Sequence, residues 1–457
     1  MLSGAKRNRN ISDFSGRLGF LASLGMTLGI CEIFNAQALS QKFWRSSERR
    51  SLTTHFQMKN RGSFCQIYKY AKSNLERRRH MKRERTTRKG GLLPKFAMLA
   101  AGMSFNQWLK ILLESGGIER KYLLKALWIS VLTVAYTPLR LFERIKFGKK
   151  IQNVELKYSP IFILGHWRSG TSYLHRLMAQ DKNLGYASVI QLSFNSEFYL
   201  TTDRFIKALL GDKLYSEAAA YPLEDEYAIF HASPYSFYRM LCFPKCTYDL
   251  FKKFVLFDQV NGQTRNLWKK VYLRVLKKLT FSANGKRLVL KNPMNTGRIN
   301  LLLEIFPNAK FIHIYRNPYM VYCSLKRLEA ANVYTNRLQN ISTEEWEEVV
   351  LFVYRELMQS YLTQKKSIPA GNLVEIKYED FEKNQLGELE RIYKELDLSG
   401  FPQSKEAFKT LIDNENKKHR SKDYELSEES IERIKQHWWF ALEKWGYELP
   451  TSIQITK

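Results

Sequence analysis

An α/β fold, with a central, mostly parallel sheet flanked by helices, is predicted by three features of the sequence. Short apolar and β-branched runs recur at Ile161 to Leu164, Arg287 to Leu290, Lys310 to Tyr315 and Leu373 to Lys377, with helical stretches between them. The first run meets Gly165 and Gly170 and then a segment with helical spacing at Leu174, Leu177 and Met178, which reads as strand, anion-gripping turn, helix. The chain of 457 residues, 44% apolar, is long enough to bury a large core around such a sheet.

The turn after the first strand makes the fold P-loop-like and three-layered. Gly165 and Gly170 let the backbone fold tightly, so that N–H groups at the helix start converge on an anion. The lysine that follows the second glycine of a P-loop is absent; Thr171 stands there, and the positive charge lies within the loop at Arg168. A cation in that place sits beside a nearer phosphate than the γ-phosphate. Ligands of parallel sheets collect at the carboxyl ends of the strands, so this loop and the residues after Tyr315 face one crevice. Arg316 closes the strand there, Asn317-Pro318 starts a helix, and Ser324 follows eight residues after the arginine. An arginine can hold a phosphate bidentately, and a serine two turns into the helix adds a hydroxyl from the same side.

A cation followed by Ser-Gly-Thr-Ser after a strand resembles the 5′-phosphosulfate loop of sulfotransferases. The stretch KFIHIYRNPYMVYCSLKRL resembles their 3′-phosphate segment, in the same order along the chain. Three further stretches extend the resemblance, to the bacterial-type branch, over residues 100 to 447: LKNPMNTGRINLLLEIFPNAKF, VEIKYEDF with the helix through Leu389, Ile392 and Leu396, and KKHRSKDYELSEESI. The resemblance implies 3′-phosphoadenosine 5′-phosphosulfate (PAPS) as co-substrate. Arg168, Ser169, Gly170, Thr171 and Ser172 would hold its 5′ end, and Arg316 and Ser324 its 3′-phosphate. Lys418, His419 and Arg420 would close over that phosphate, or else form a solvated charge run. Lys291 matches the lysine that relatives aim at the sulfuryl group, the alternative being an edge lysine in solvent. No metal is needed, and no ligand spacing for one appears.

In sulfuryl transfer an acceptor hydroxyl attacks sulfur in line while the bond to the 5′-phosphate breaks. Negative charge builds on the phosphate side, where Arg168 and the loop amides receive it. Many relatives carry a histidine four residues after the lysine, but here that position is Asn295, which cannot accept a proton. The acidic run Glu224-Asp225-Glu226 in YPLEDEYAIF resembles the family's Pro-x-x-Asp-Glu stretch and supplies the next candidates. Glu226 is the expected general base, by a raised pKa in an apolar cleft, with Asp225 anchoring loops or binding a basic partner. His231 and His175 are alternatives, and the whole run also reads as a charge cluster at a helix N-terminus.

The remainder of the chain bears on organisation and acceptor. Residues 1–100 hold 21 Lys and Arg against 5 Asp and Glu, a net +16 of the chain's +29, so the basic excess is largely N-terminal. The rest suits an enzyme with an anionic co-substrate better than a nucleic-acid binder. Five scattered cysteines form no zinc spacing and suit a reducing compartment, the cytoplasm. Residues 1–80 carry an apolar stretch that superficially fits a secretory signal but is broken by Gly25, Gly29 and Glu32. RNISDFSGRLGFLASLGMT there resembles translated bacterial intergenic repeats, so translation is expected to begin at Met81, with residues 1–80 absent or disordered. Residues 81–150 form a basic and apolar helical segment. Its run from Tyr122 to Phe142 is marginal as a membrane span, and fits a core-packed helix pair, a membrane-interfacial segment on the inner face, or a cover for an acceptor tunnel. Residues 151–449 form the sulfotransferase-like domain, with an acceptor-side insertion at 194–257 in which 16 residues are Phe or Tyr. Such walls suit a hydrophobic alcohol, sterol- or lipid-like, or a carbohydrate. Two readings from other classes are a P-loop kinase or NTPase, and a non-catalytic basic protein that binds membranes.

Overall fold

The computed structural model describes residues 99–193, 196–258, 260–330, 336–417 and 424–456. The expectations for residues 1–80 and for the tract from Met81 to residue 98 lie outside the described residues, as do Lys418, His419 and Arg420. All described residues belong to one compact unit, Met98–Lys457.

Five strands form the central sheet: β1 (Ile161–Leu164), β2 (Leu184–Gly185), β3 (Arg287–Lys291), β4 (Lys310–Tyr315) and β5 (Leu373–Lys377). Their order is β2-β3-β1-β4-β5, and every neighbouring pair is parallel. Because the chain passes over β1 on its way from β3 to β4, the strand order reverses at β1, and the crevice of the sheet opens at the carboxyl end of that strand. All four residues of β1 are buried, which is why its sequence is continuously apolar rather than alternating. The two-residue β2 is too short to leave a period in the sequence. A separate parallel pair, β6 (Tyr424–Ser427) with β7 (Ile453–Thr456), depends on a partner distant along the chain.

Ten helices matter for the site: α1 (Phe105–Glu114), α2 (Leu123–Ala135), α3 (Thr137–Gln152), α4 (Thr171–Met178), α5 (Glu226–Ala232), α6 (Gly262–Ser282), α7 (Pro318–Ala330), α8 (Thr343–Gln364), α9 (Tyr378–Lys383) and α10 (Glu428–Trp445). Alternate strand residues face opposite layers. Phe162, Leu164, Leu290 and Phe311 pack with Trp268 and Leu276 of α6, whereas Ile161, Ile163, Val289 and Ile312 pack with Leu174 and Leu177 of α4. A third cluster joins Trp108 of α1 and Ile129 of α2 to Tyr354 of α8 and Trp438 of α10. Truncating a buried tryptophan such as Trp108 to alanine costs about 3–5 kcal/mol.

The helices before β1 are therefore packed on the same body as the sheet. A capping box between Ser104 and Gln107 starts α1. Trp108 Nε1 donates to Ser130 Oγ at 2.9 Å, and Ala126, Ile129, Leu132 and Thr133 bury the inner face of α2. Glu143 of α3 is buried in an ion pair with Lys278 of α6. Core packing thus accounts for the inner faces of these helices, while Leu124, Leu127 and Val131 on the outer face of α2 stay exposed.

Candidate active site

The loop after β1 owes its shape to three residues in the left-handed region: Gly165 at φ 135°, Arg168 at φ 70° and Gly170 at φ 99°. A Cβ on Gly165 would lie 2.4 Å from the carbonyl oxygen of Ile314, and one on Gly170 would lie 2.5 Å from the Tyr378 ring. Both positions therefore require glycine. Ser169 N donates to His166 O at 3.2 Å and closes the turn, while Gly165 N donates to Thr296 Oγ1 at 2.8 Å. Thr171 opens α4, whose first amides have no partner one turn earlier in the helix. Ser169 and Thr171 are buried beneath the loop, and Ser172 and Arg168 are exposed.

The second grip lies on the same side of the sheet as the first. Asn317 Oδ1 accepts from Tyr319 N at 3.0 Å and starts α7, and Asn317 N donates to Glu379 Oε1 at 3.0 Å. These bonds fix the backbone beside Arg316. Its guanidinium lies 4.2 Å from the centroid of the Tyr378 ring, and one of its terminal nitrogens donates to the carbonyl oxygen of Arg168 at 3.2 Å. Ser324 Oγ accepts from Arg168 Nε at 2.8 Å. Loop, strand-end arginine and helix serine therefore share one crevice. Arg316 Nε is buried with no hydrogen-bond partner among the described residues, and the glycine-lined turn is a cradle that any Cβ would fill. Both features fit a ligand carrying two separated anionic groups.

The acidic run behaves differently from the sequence expectation. Glu226 is fully buried in an ion pair with Arg298, at 2.6 Å and 3.2 Å. It also accepts from Ser236 Oγ, Phe237 N and Asn292 Nδ2 at 2.7, 3.1 and 2.8 Å. Burial pushes its carboxyl up, but the Arg298 guanidinium and these donors outweigh burial and hold it below the usual carboxylate range. A carboxylate with both oxygens so engaged is a poor proton acceptor, which weighs against the general-base role expected of Glu226. Asp225 is equally buried. Its Oδ2 accepts from the Tyr272 hydroxyl at 2.7 Å, and burial pushes its pKa up to about 7. Asn295 Nδ2 donates to the same hydroxyl at 3.2 Å, so the residue in the family's histidine position is part of this packed network.

Glu224, a member of the candidate run but not its expected base, pairs with Lys291. Lys291 ends β3 in register with Ile163 of β1, at the strand ends that carry the glycine loop. His175 lies on the inner face of α4 with Nε2 3.2 Å from Val289 O, and burial pushes its pKa down to about 3. His231 packs against Gly102, its Nδ1 3.3 Å from Ser196 Oγ. Neither histidine joins the loop residues.

Tyr378 and Thr296 were legible only as members of quoted stretches. Tyr378 fills the space beneath Gly170 and stacks on Arg316, and Thr296 pins the loop's first amide. Trp167, inside the loop, stacks on Phe237 with centroids 6.1 Å apart and joins the crevice to the aromatic insertion. Among the described residues no group of three or more His, Cys, Asp or Glu could hold a metal ion.

Known proteins resemble this chain in sequence and in fold. The ω-hydroxy-β-dihydromenaquinone-9 sulfotransferase Stf3 of Mycobacterium bovis is 27% identical over 367 residues, covering 78% of this chain and 92% of that protein. Its Mycobacterium tuberculosis counterpart matches to the same extent. The crystal structure of sulfotransferase STF9 from Mycobacterium avium superposes with a TM-score of 0.53 at 18% identity, covering 76% of this chain and 98% of that one, and shows the shared fold. The sulfotransferase family model matches residues 160–403, from the start of β1 past the helix that follows β5, which is more than half of the sequence. On that match, and with the fold it anticipates, the chain belongs to the sulfotransferase family.

Proposed function

We propose that this protein transfers the sulfuryl group of PAPS to a hydroxyl of a lipid-like acceptor. The observation that carries the donor assignment is the hydrogen bond from Arg168 Nε to Ser324 Oγ, which brings a 5′-side cation and a 3′-side hydroxyl into one crevice. The acceptor oxygen attacks sulfur, the bond from sulfur to the 5′-phosphate oxygen breaks, and adenosine 3′,5′-bisphosphate leaves. Arg168 and the amides at the start of α4 stabilise the charge that develops on that phosphate. Ser169, Gly170, Thr171 and Ser172 orient the 5′ end, and Arg316 with Ser324 holds the 3′-phosphate. Lys291 turns to the sulfuryl oxygens, and Glu224, freed of its partner, takes the acceptor proton. Asp225 and Glu226 act as positioning residues that hold the segment bearing Glu224.

The relative named for a hydroxylated menaquinone and the aromatic insertion behind Trp167 favour a lipid over a carbohydrate. Incubation of the purified protein with sulfur-labelled PAPS and a panel of isoprenoid alcohols, sterols and glycans tests both halves. Label in a lipid product is the expected result. Label confined to glycans would reassign the acceptor, and no label with any hydroxyl compound would remove the donor assignment.

A further inference from the structure

The outer face of α2 and the part of α3 that follows it carry large apolar side chains that stay exposed. Along α2, Leu124, Leu127, Trp128 and Val131 recur at intervals of three and four residues and are 82%, 61%, 40% and 49% exposed. This stripe lies opposite the inner face that holds Ile129 and Leu132 in the core. Along α3, Leu141, Phe142 and Ile145 continue it. A helix that is apolar on all sides yet half exposed has a non-aqueous neighbour.

Charge identifies that neighbour. Between Arg120 and Gln152 there are eight Lys and Arg and one acid, Glu143, which is buried against Lys278. Arg144, Lys146, Lys149 and Lys150 are exposed at the end of α3, and the Lys146 amine reaches over the Phe142 and Phe147 rings at 5.5 and 5.2 Å. An apolar stripe bounded by cations that bend along it is the pattern of a helix lying in an anionic lipid interface. The segment Arg120–Gln152 is long and apolar enough to cross a bilayer by length and composition. Its inner face is fastened to the protein, however, and α2 alone, at about 1.5 Å per residue, falls well short of the roughly 30 Å hydrocarbon layer.

We propose that α2 and α3 dock this protein on the surface of an anionic membrane, with their apolar stripe in the headgroup region. The inference deepens the lipid-acceptor reading. The cluster under α2 includes Trp108, Phe237 and Phe243, and Trp167 of the phosphate loop packs on it, so apolar protein is continuous from the docked face to the crevice.

Flotation of the full-length protein with vesicles tests the proposal without donor or acceptor, so that it can fail independently of the sulfuryl-transfer reading. Binding to phosphatidylglycerol vesicles is expected, about tenfold or more weaker on phosphatidylcholine alone. The pair Leu127→Glu with Ile145→Glu should lower the bound fraction about tenfold or more, and so should Arg144→Glu with Lys146→Glu. All four sites are exposed, and unchanged melting temperature and nucleotide binding confirm that the variants are folded. Failure of the full chain to bind anionic vesicles, unaltered binding by the variants, or a dimer that the apolar-face variants convert to monomer would each overturn the proposal, the last because a second copy covers the face.

Discussion

Arg168 Nε donates to Ser324 Oγ at 2.8 Å although 156 residues separate them. The bond depends on an uncommon backbone, since Arg168 sits at φ 70° and the left-handed region costs a residue with a Cβ about 1–2 kcal/mol. Arg316 helps to hold that conformation by donating to the Arg168 carbonyl at 3.2 Å. The two anion grips are thus one hydrogen-bonded unit, with each arginine fixing a part of the other's surroundings.

Substitution at either end should therefore weaken nucleotide binding by more than the loss of one contact. A hydrogen bond to a charged group contributes about 1.5–3 kcal/mol, so Arg168→Ala and Arg316→Ala should each raise the Kd for adenosine 3′,5′-bisphosphate at least about tenfold. Calorimetric titration measures this. Arg316→Ala should also lose the preference for the bisphosphate over adenosine 5′-phosphate, whereas Arg168→Ala should retain part of it. Equal affinity of the Arg316→Ala variant and the parent protein for the bisphosphate would contradict the 3′-phosphate role.

Gly170→Ala tests the cradle. The new methyl would lie 2.5 Å from the Tyr378 ring at a residue held at φ 99°, so it meets both a steric and a backbone penalty. A loss of about 1–3 kcal/mol in urea unfolding is expected, with weaker nucleotide binding because the ring also supports Arg316. Combining Gly170→Ala with Tyr378→Leu should recover part of the stability and none of the affinity.

The sheet, and the placement of the loop after β1 and of Arg316 at its carboxyl ends, were legible because each is written locally. Ile161–Leu164 and Lys310–Tyr315 are buried on both faces, and their carboxyl ends must meet a parallel crevice whatever surrounds them. The acidic run was not legible at that depth. Three consecutive carboxylates at Glu224, Asp225 and Glu226 differ only in where the turn before α5 points them. Arg298, Tyr272 and Lys291, which decide their states, are 72, 47 and 67 residues away from their respective partners. The stripe on α2 was ambiguous for a related reason. A helix apolar all round has no period to say which side meets protein, and the burial of Ala126, Ile129 and Leu132 with the bond from Trp108 to Ser130 settles it.

Glu224 and Glu226 can be separated by measuring two quantities at once. Breaking a buried pair by neutralising one partner costs about 3–5 kcal/mol, so Glu226→Gln should unfold at markedly lower denaturant. Its residual folded fraction should keep a substantial kcat. Glu224→Gln removes the partner of the buried Lys291 and should also lower the unfolding midpoint, though less than Glu226→Gln because Glu224 is partly exposed, and it should lower kcat about 100-fold or more, the scale of general-base catalysis. A stable Glu226→Gln protein without activity, beside an active Glu224→Gln protein, would return the base to Glu226.

The pH dependence of stability has a sign that one substitution should change. Burial pushes the pKa of His166 down to about 4 and those of His175 and His313 down to about 3, below the ordinary value of 6.5. Between those limits the unfolded chain binds more protons, so each histidine contributes stability above pH 6.5 that is lost on acidification. Asp225 works in the opposite direction, because burial raises its pKa from 3.8 to about 7. The folded protein then binds the extra proton between these values, and Asp225 favours folding increasingly as pH falls from 7 towards 4. Three histidines against one aspartate predict a net loss of stability from pH 7 to pH 5. Asp225→Asn removes the opposing group and should steepen that loss, its stability relative to the parent being greatest above pH 7. Urea midpoints of both proteins at half-unit pH intervals supply the comparison, and parallel curves would mean that Asp225 does not keep its proton in the folded state.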